Sequence, residues 1–159
     1  MVTNEAVGQK GADWDIGTVD PKVWGANSFE KFAKFMGEKG EFALFVSGLE
    51  VQFHNNWADA ALEVQKEKYP NMKLVTSRIP CGESIELSFT RTNELMKAYP
   101  NLKGIIGIGS LGPIGVAEAL KAKNMAGKII IVGNVMPKQS APYLKAGLIQ
   151  GDSMSDQKN

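Results

Sequence analysis

Three stretches of the chain hold groups whose type and spacing could do chemistry. Gly107-Ile-Gly109-Ser-Leu-Gly112 matches G-x-G-x-x-G, the spacing with which a backbone wraps a phosphate at the start of a helix. Cys81 in RIPCGES and His54 in VQFHNNW are the chain's one cysteine and one histidine, a thiol and an imidazole that could act as nucleophile and base. Carboxylates gather at Asp13, Asp15 and Asp20 and again at Glu83 and Glu86.

Each stretch also has a plainer reading. A dinucleotide fingerprint needs an acidic residue about 20 residues on, at the end of the next strand, to hold the ribose. Here that strand ends in Gly133-Asn134, and the glycine loop comes too late in the chain to be the first β-α unit. No Gly-Lys-Ser/Thr follows, so the P-loop pattern fails. A free cysteine is most often a small buried hydrophobe, and nothing beside Cys81 or His54 supplies an orienting carboxylate, so no enzyme activity is expected. Glu83 and Glu86 suit the positive end of a helix dipole, and the aspartates suit solvated turns. One cysteine excludes an internal disulfide, and no Cys/His spacing suits a metal, so neither metal nor cofactor is expected.

A collective signal remains. Asn4, the segment Gln52 to Trp57 with Phe53 and His54, Ser110, Asn134 and Asp156 all fall at expected strand ends on one side. Amides and hydroxyls satisfy the paired hydroxyls of a polyol, and aromatic faces cover its C–H surface. A neutral, sugar-like molecule suits such a rim.

The elements that would position these groups alternate. Trp14 to Val19 reads as a first strand, and Asp20-Pro21 opens a helix with Phe29, Phe32, Ala33 and Met36 on one face, stopped at Gly37 and Gly40. FALFV (42–46) is a strand covered on both faces. Trp57, Ala60, Ala61 and Val64 mark a second helix ending at Tyr69-Pro70, and Lys73 to Ser77 a short strand. Ser84 N-caps a helix with Ile85, Phe89, Thr92 and Met96 on one side, ending at Pro100. Gly104 to about Lys123 is strand, tight loop and helix, with Pro113 in the helix's first turn. Lys128 to Val132, a helix from about Ser140 to Ala146 with Pro142 in its first turn, and a sixth strand at Leu148 to Gln150 complete the series. Lys68 to Lys73 and Ala98 to Lys103 repeat Y-P-N-x-K, one turn chemistry at two helix-to-strand junctions. This alternation specifies a three-layer α/β/α sandwich, with a mainly parallel, doubly wound sheet of about six strands, as one domain over 1–159.

Composition narrows the partners. The chain has 18 basic and 17 acidic residues, scattered without clusters, which argues against nucleic acid or an anionic lipid surface. No apolar run is long enough for a membrane span, and the first residues lack the basic start and apolar core of an export signal.

The order WDIGTVDPKVWG, FALFVSG, YPNMKLV, GIIGIGSLGPIGVAEALK, GKIIIVGN and PYLKAGLIQGD resembles the carboxy-terminal lobe of a type I periplasmic sugar-binding protein. Within that family it is most similar to the branch that includes the rhamnose-binding and autoinducer-2-binding proteins of ABC importers. The resemblance implies two lobes joined by three crossings and closing over a ligand, with this chain running from near the first crossing, at Thr3-Asn4, to near the third, at Asp156. The amino-terminal lobe would then be absent, and the parent would be periplasmic or otherwise extracytoplasmic, working with an ABC permease. It further implies that Asn4 matches a ligand-contacting hinge residue, an aspartate in the autoinducer-2 branch, and that Phe53 and His54 fall where that branch has an Asp-Gln pair. Ile108 and Ser110 match its loop contacts, Asn134 stands where many sugar binders have an aspartate, and Asp156 takes the place of the aspartate in the family's Trp-Asp pair. The effector-binding core of a sugar-responsive repressor is a more distant resemblance, and a nucleotide enzyme using Gly107 to Gly112 is the alternative from a different class. A lobe without its partner would leave a cleft surface and sheet edge uncovered, which favours self-association.

Overall fold

The computed structural model describes residues 2–4, 10–11, 13–16, 19–81 and 83–153. Asp20 N-caps α1 (Pro21–Met36), its carboxylate accepting from the Lys22 amide at 2.8 Å, with Pro21 at the first helical position. Gly37 ends the helix at φ +70°, and the Glu38 amide closes the turn on the Ala33 carbonyl at 2.9 Å. The expected face of α1 is the buried one: Phe29, Phe32 and Ala33 are wholly covered and Met36 nearly so. Burial of each phenylalanine contributes about 2 kcal/mol. Their rings meet Phe42 edge-on at 5.4 and 5.7 Å.

β3 (Gly40–Val46) is central and buried on both faces. Phe42, Leu44 and Val46 point to the layer of α1 and α2 (Gln52–Lys68), and Ala43 and Phe45 to the opposite layer. β4 (Met72–Leu74) and β5 (Ile79–Pro80) pair in succession along one edge of β3, and β6 (Leu102–Ile108) pairs along the other. β7 (Ile130–Gly133) and β8 (Gly151–Asp152) extend the sheet beyond β6. Every pairing is parallel and the order is β4-β3-β6-β7-β8, so among the described residues the sheet has the number of strands and the doubly wound form expected, with β5 as a strand the sequence reading did not include. α3 (Ile85–Ala98), α4 (Gly112–Ala122) and α5 (Pro137–Lys145) form the other layer. Both Y-P-N junctions fold alike, with Met72 and Leu102 amides each returning to the preceding tyrosine carbonyl at 3.0 Å.

Four expectations are corrected. The first strand does not join this sheet: β2 (Trp14–Ile16) pairs with β1 (Val2–Asn4) in a separate two-stranded sheet. In α3 the buried residues are Ser88, Thr92 and Leu95, while Ile85 and Phe89 stay exposed. The reason is Gly115 of α4: a Cβ there would lie 2.5 Å from the Ser88 Cβ, so the two helices touch through their smallest residues. α5 begins at Pro137, which leaves Pro142 in mid-helix rather than in its first turn. Leu148 and Ile149 are buried connectors, and the sixth strand comes after them at Gly151–Asp152.

Candidate functional site

Parallel strands end together, and register shows which ends are neighbours. Val46 pairs with Ile108, Gly107 with Gly133, and Gly133 with Asp152. Ser47, Gly109, Asn134 and Ser153 are therefore adjacent along one edge of the sheet, and the Ser153 amide donates to the Gly133 carbonyl at 2.9 Å.

The glycines of the β6–α4 loop admit the protein's own groups. The Pro113 ring lies over the ends of β6 and β7, where a Cβ on Gly107 would meet its Cγ at 2.6 Å and one on Gly133 its Cβ at 2.7 Å. Gly109, at φ +135°, brings the loop against Glu83. The Glu83 carboxylate accepts from the Ser110 amide at 2.9 Å and the Leu111 amide at 3.0 Å, both on Oε2. The positive end of α4, the natural seat of a phosphate, is filled by this side chain. Glu83 therefore serves another helix than the one it precedes, and the dipole of α3 does not account for it. Ser84 is the α3 N-cap, accepting from the Leu87 amide at 3.2 Å.

Cys81 and His54 are not arranged as nucleophile and base. The thiol is buried and donates to the Val46 carbonyl at 3.1 Å, and burial pushes its pKa above the ordinary thiol value. His54 is buried, with Nδ1 against the Ser47 hydroxyl. Its ring meets Phe53 edge-on at 4.2 Å, and Phe53 meets Trp57 at 5.4 Å. Trp57 stacks on Trp24 at 4.2 Å, which fastens the amino-terminal halves of α1 and α2 together.

The site residues expected from sequence are unequally placed. Ser110 and Asn134 are half-buried at the rim, and Phe53 is half-buried on its flank. The Ile108 side chain belongs to the core among α1 and α2 residues, so what it offers at the rim is backbone. The backbone of Asn4 lies in β1, opposite Ile16 of the small sheet. Asp156 lies outside the described residues.

Two further carboxylates shape the rim. Sequence singles out Glu83 but assigns it to the dipole of α3, because the backbone it binds is remote in the chain. Asp152 accepts from the Val135 amide and its neighbour Ser153 amide, each at 2.8 Å, and from the buried Ser140 hydroxyl at 2.7 Å. It thereby holds the β7–α5 turn that carries Asn134. An acidic residue shortly after the last apolar connector, beyond Gln150 and Gly151, was its available signal. Among the described residues there is no cluster of side chains that could hold a metal ion, and no helix is long and apolar enough to cross a membrane.

Comparison with known proteins matches this architecture. A family model described as a periplasmic binding protein domain matches residues 1–159. The D-apiose import binding protein of Actinobacillus succinogenes is 30% identical over 127 residues, which are 80% of this chain and 39% of that protein. An ABC transporter solute-binding protein from Burkholderia graminis, in complex with D-arabinose, superposes with a TM-score of 0.78 at 26% identity, over 87% of this chain and 48% of that one. The glucose-galactose binding protein GanP of Geobacillus stearothermophilus has the same fold, with a TM-score of 0.84 at 17% identity, over 93% and 52% of the two chains. The chain thus spans about half the length of these relatives, or less.

Proposed function

Because the chain belongs to the periplasmic binding protein domain family, we propose that it is a ligand-binding lobe of the solute-binding subunit of a sugar ABC importer, equivalent to the carboxy-terminal lobe and closest in kind to the rhamnose and autoinducer-2 branch. The ligand is a neutral sugar or sugar-like polyol, held against Ser110, Asn134 and the exposed part of Phe53, with the Ile108 backbone, Asn4, His54 and Asp156 as the remaining contacts. The parent protein is extracytoplasmic, and closure of a second lobe over this rim produces the form that the permease recognises.

The observation that carries this reading is the state of the rim. Ser110 and Asn134 follow the ends of the neighbouring strands β6 and β7, and the carboxylates of Glu83 and Asp152 beside them are engaged with backbone amides. A site of neutral donors and acceptors beside an aromatic face is what a polyol requires.

A single lobe supplies half of the contacts, so binding by this chain alone is expected at millimolar strength or weaker. Amide NMR titration with L-rhamnose, D-arabinose and D-apiose is expected to move Ser110, Asn134 and their neighbours, whereas NAD and ATP leave them in place. Unmoved rim amides at about 0.1 M sugar refute the site. Micromolar binding refutes the half-site.

A further inference from the structure

The Glu83 carboxylate is half-buried and joins two segments that the sheet brings together, the β5–α3 turn and the β6–α4 loop. It bonds the Ser110 amide through both oxygens, at 3.2 and 2.9 Å, and the Leu111 amide through Oε2 at 3.0 Å. Its own backbone sits at φ +47°, a left-handed conformation that a glutamate adopts only when its surroundings hold it there. Gly109, beneath it, has no room for a side chain: a Cβ there would collide with the Glu83 Oε1.

Two consequences follow for a molecule approaching the rim. The amides that would bind a carboxylate or phosphate are already saturated by a group tethered to the protein, whose effective concentration a free anion cannot match. A negative charge also stands where a second anion would have to come, in a partly desolvated position where like charges repel strongly. Ser110, whose amide is occupied in this way, is the residue that carries the adjacent rim hydroxyl.

We propose that Glu83 is a specificity-determining residue: its carboxylate acts as a built-in anion at the α4 terminus, so that the rim accepts neutral polyols and rejects sugar acids and sugar phosphates. This rests on the neutral-sugar reading of the rim, and the test separates the two. Selectivity here is a repulsive device, acting by what is excluded.

The test uses the full chain, its assigned amide NMR spectrum, and inorganic phosphate as the probe. In the wild-type protein, phosphate leaves the Ser110 and Leu111 amides unmoved. Glu83→Ala empties the seat, and phosphate then moves those two amides saturably, at concentrations at least about tenfold below the highest that leaves the wild type unmoved, an effect that falls with added salt. Should the alanine variant lose its fold, Glu83→Gly removes the carboxylate and also relieves the left-handed backbone, so it keeps the fold and gives the same readout. Saturable phosphate binding at these amides in the wild type overturns the proposal. So does a folded Glu83→Ala or Glu83→Gly variant that gains none. Neither outcome touches the sugar titration, which can fail or succeed independently.

Discussion

Gly115→Ala tests how the rim is held from behind. Gly115 is where α4 lies against α3: an added Cβ would stand 2.5 Å from the Ser88 Cβ and 3.1 Å from the Phe89 amide nitrogen, and would also strike the Ile85 carbonyl oxygen. Ordinary contact needs about 3.5 Å or more, so α3 must retreat by about 1 Å. Glu83 stands just before α3, and its bond to the Leu111 amide, now 3.0 Å, would stretch beyond hydrogen-bonding range. Overpacking of this kind costs about 1–3 kcal/mol, and loss of the charge-assisted bonds adds about 1 kcal/mol at a half-buried site. The better helix propensity of alanine returns about 1 kcal/mol. The expected net loss is about 2 kcal/mol, a fall in Tm of about 4–8 °C for a chain of this size. Urea unfolding with an unchanged m-value measures the loss, and amide exchange at Ser110 and Leu111 should accelerate beyond what global stability explains. A variant as stable as the wild type, with both amides still protected, would refute the coupling of helix packing to the rim.

Two further expectations concern groups on or under the same edge. Asp152→Ala removes the acceptor of the Val135 and Ser153 amides and the Ser140 hydroxyl, and should cost about 2–3 kcal/mol in urea unfolding while shifting the Asn134 amide resonance; an unchanged Asn134 environment would show that this turn holds itself. Cys81 titrates above its ordinary value because burial disfavours the thiolate, so its contribution to stability is complete below the unfolded thiol's pKa and is lost as pH rises through the folded one. Thiol labelling at pH 8 should therefore be slow in the native chain and rapid in urea, and fast native labelling would count against the buried thiol.

The sequence disclosed those features whose cause is local. Phe29, Phe32, Ala33 and Met36 follow one helical period, and the core uses the same period. FALFV carries no polar alternation because β3 is covered twice. Ser110 and Asn134 each come just after an apolar run, and strand ends are local signals. What escaped was set by remote partners. The periodicity of α3 nominates Ile85 and Phe89 for the core, yet Gly115, from the next helix, selects Ser88. The short strand at Trp14 looks like any sheet strand, and only its partner, β1, shows that it belongs elsewhere. Glu83 and Asp152 are each one carboxylate among 17 acidic residues, and the backbone they bind is near in space but distant in the chain.

The strand order carries a kinetic consequence. β3 borders β4, β5 and β6, so it joins the two halves of the six-stranded sheet. Its pairing with β6 joins Leu44 to Ile106, closing a loop that contains two helices and the whole opposite edge. Closing so long a loop costs entropy before any pairing is rewarded. Until it occurs, β3 is an unpaired apolar segment of phenylalanine, leucine and valine, the part of the nascent chain most exposed to aggregation.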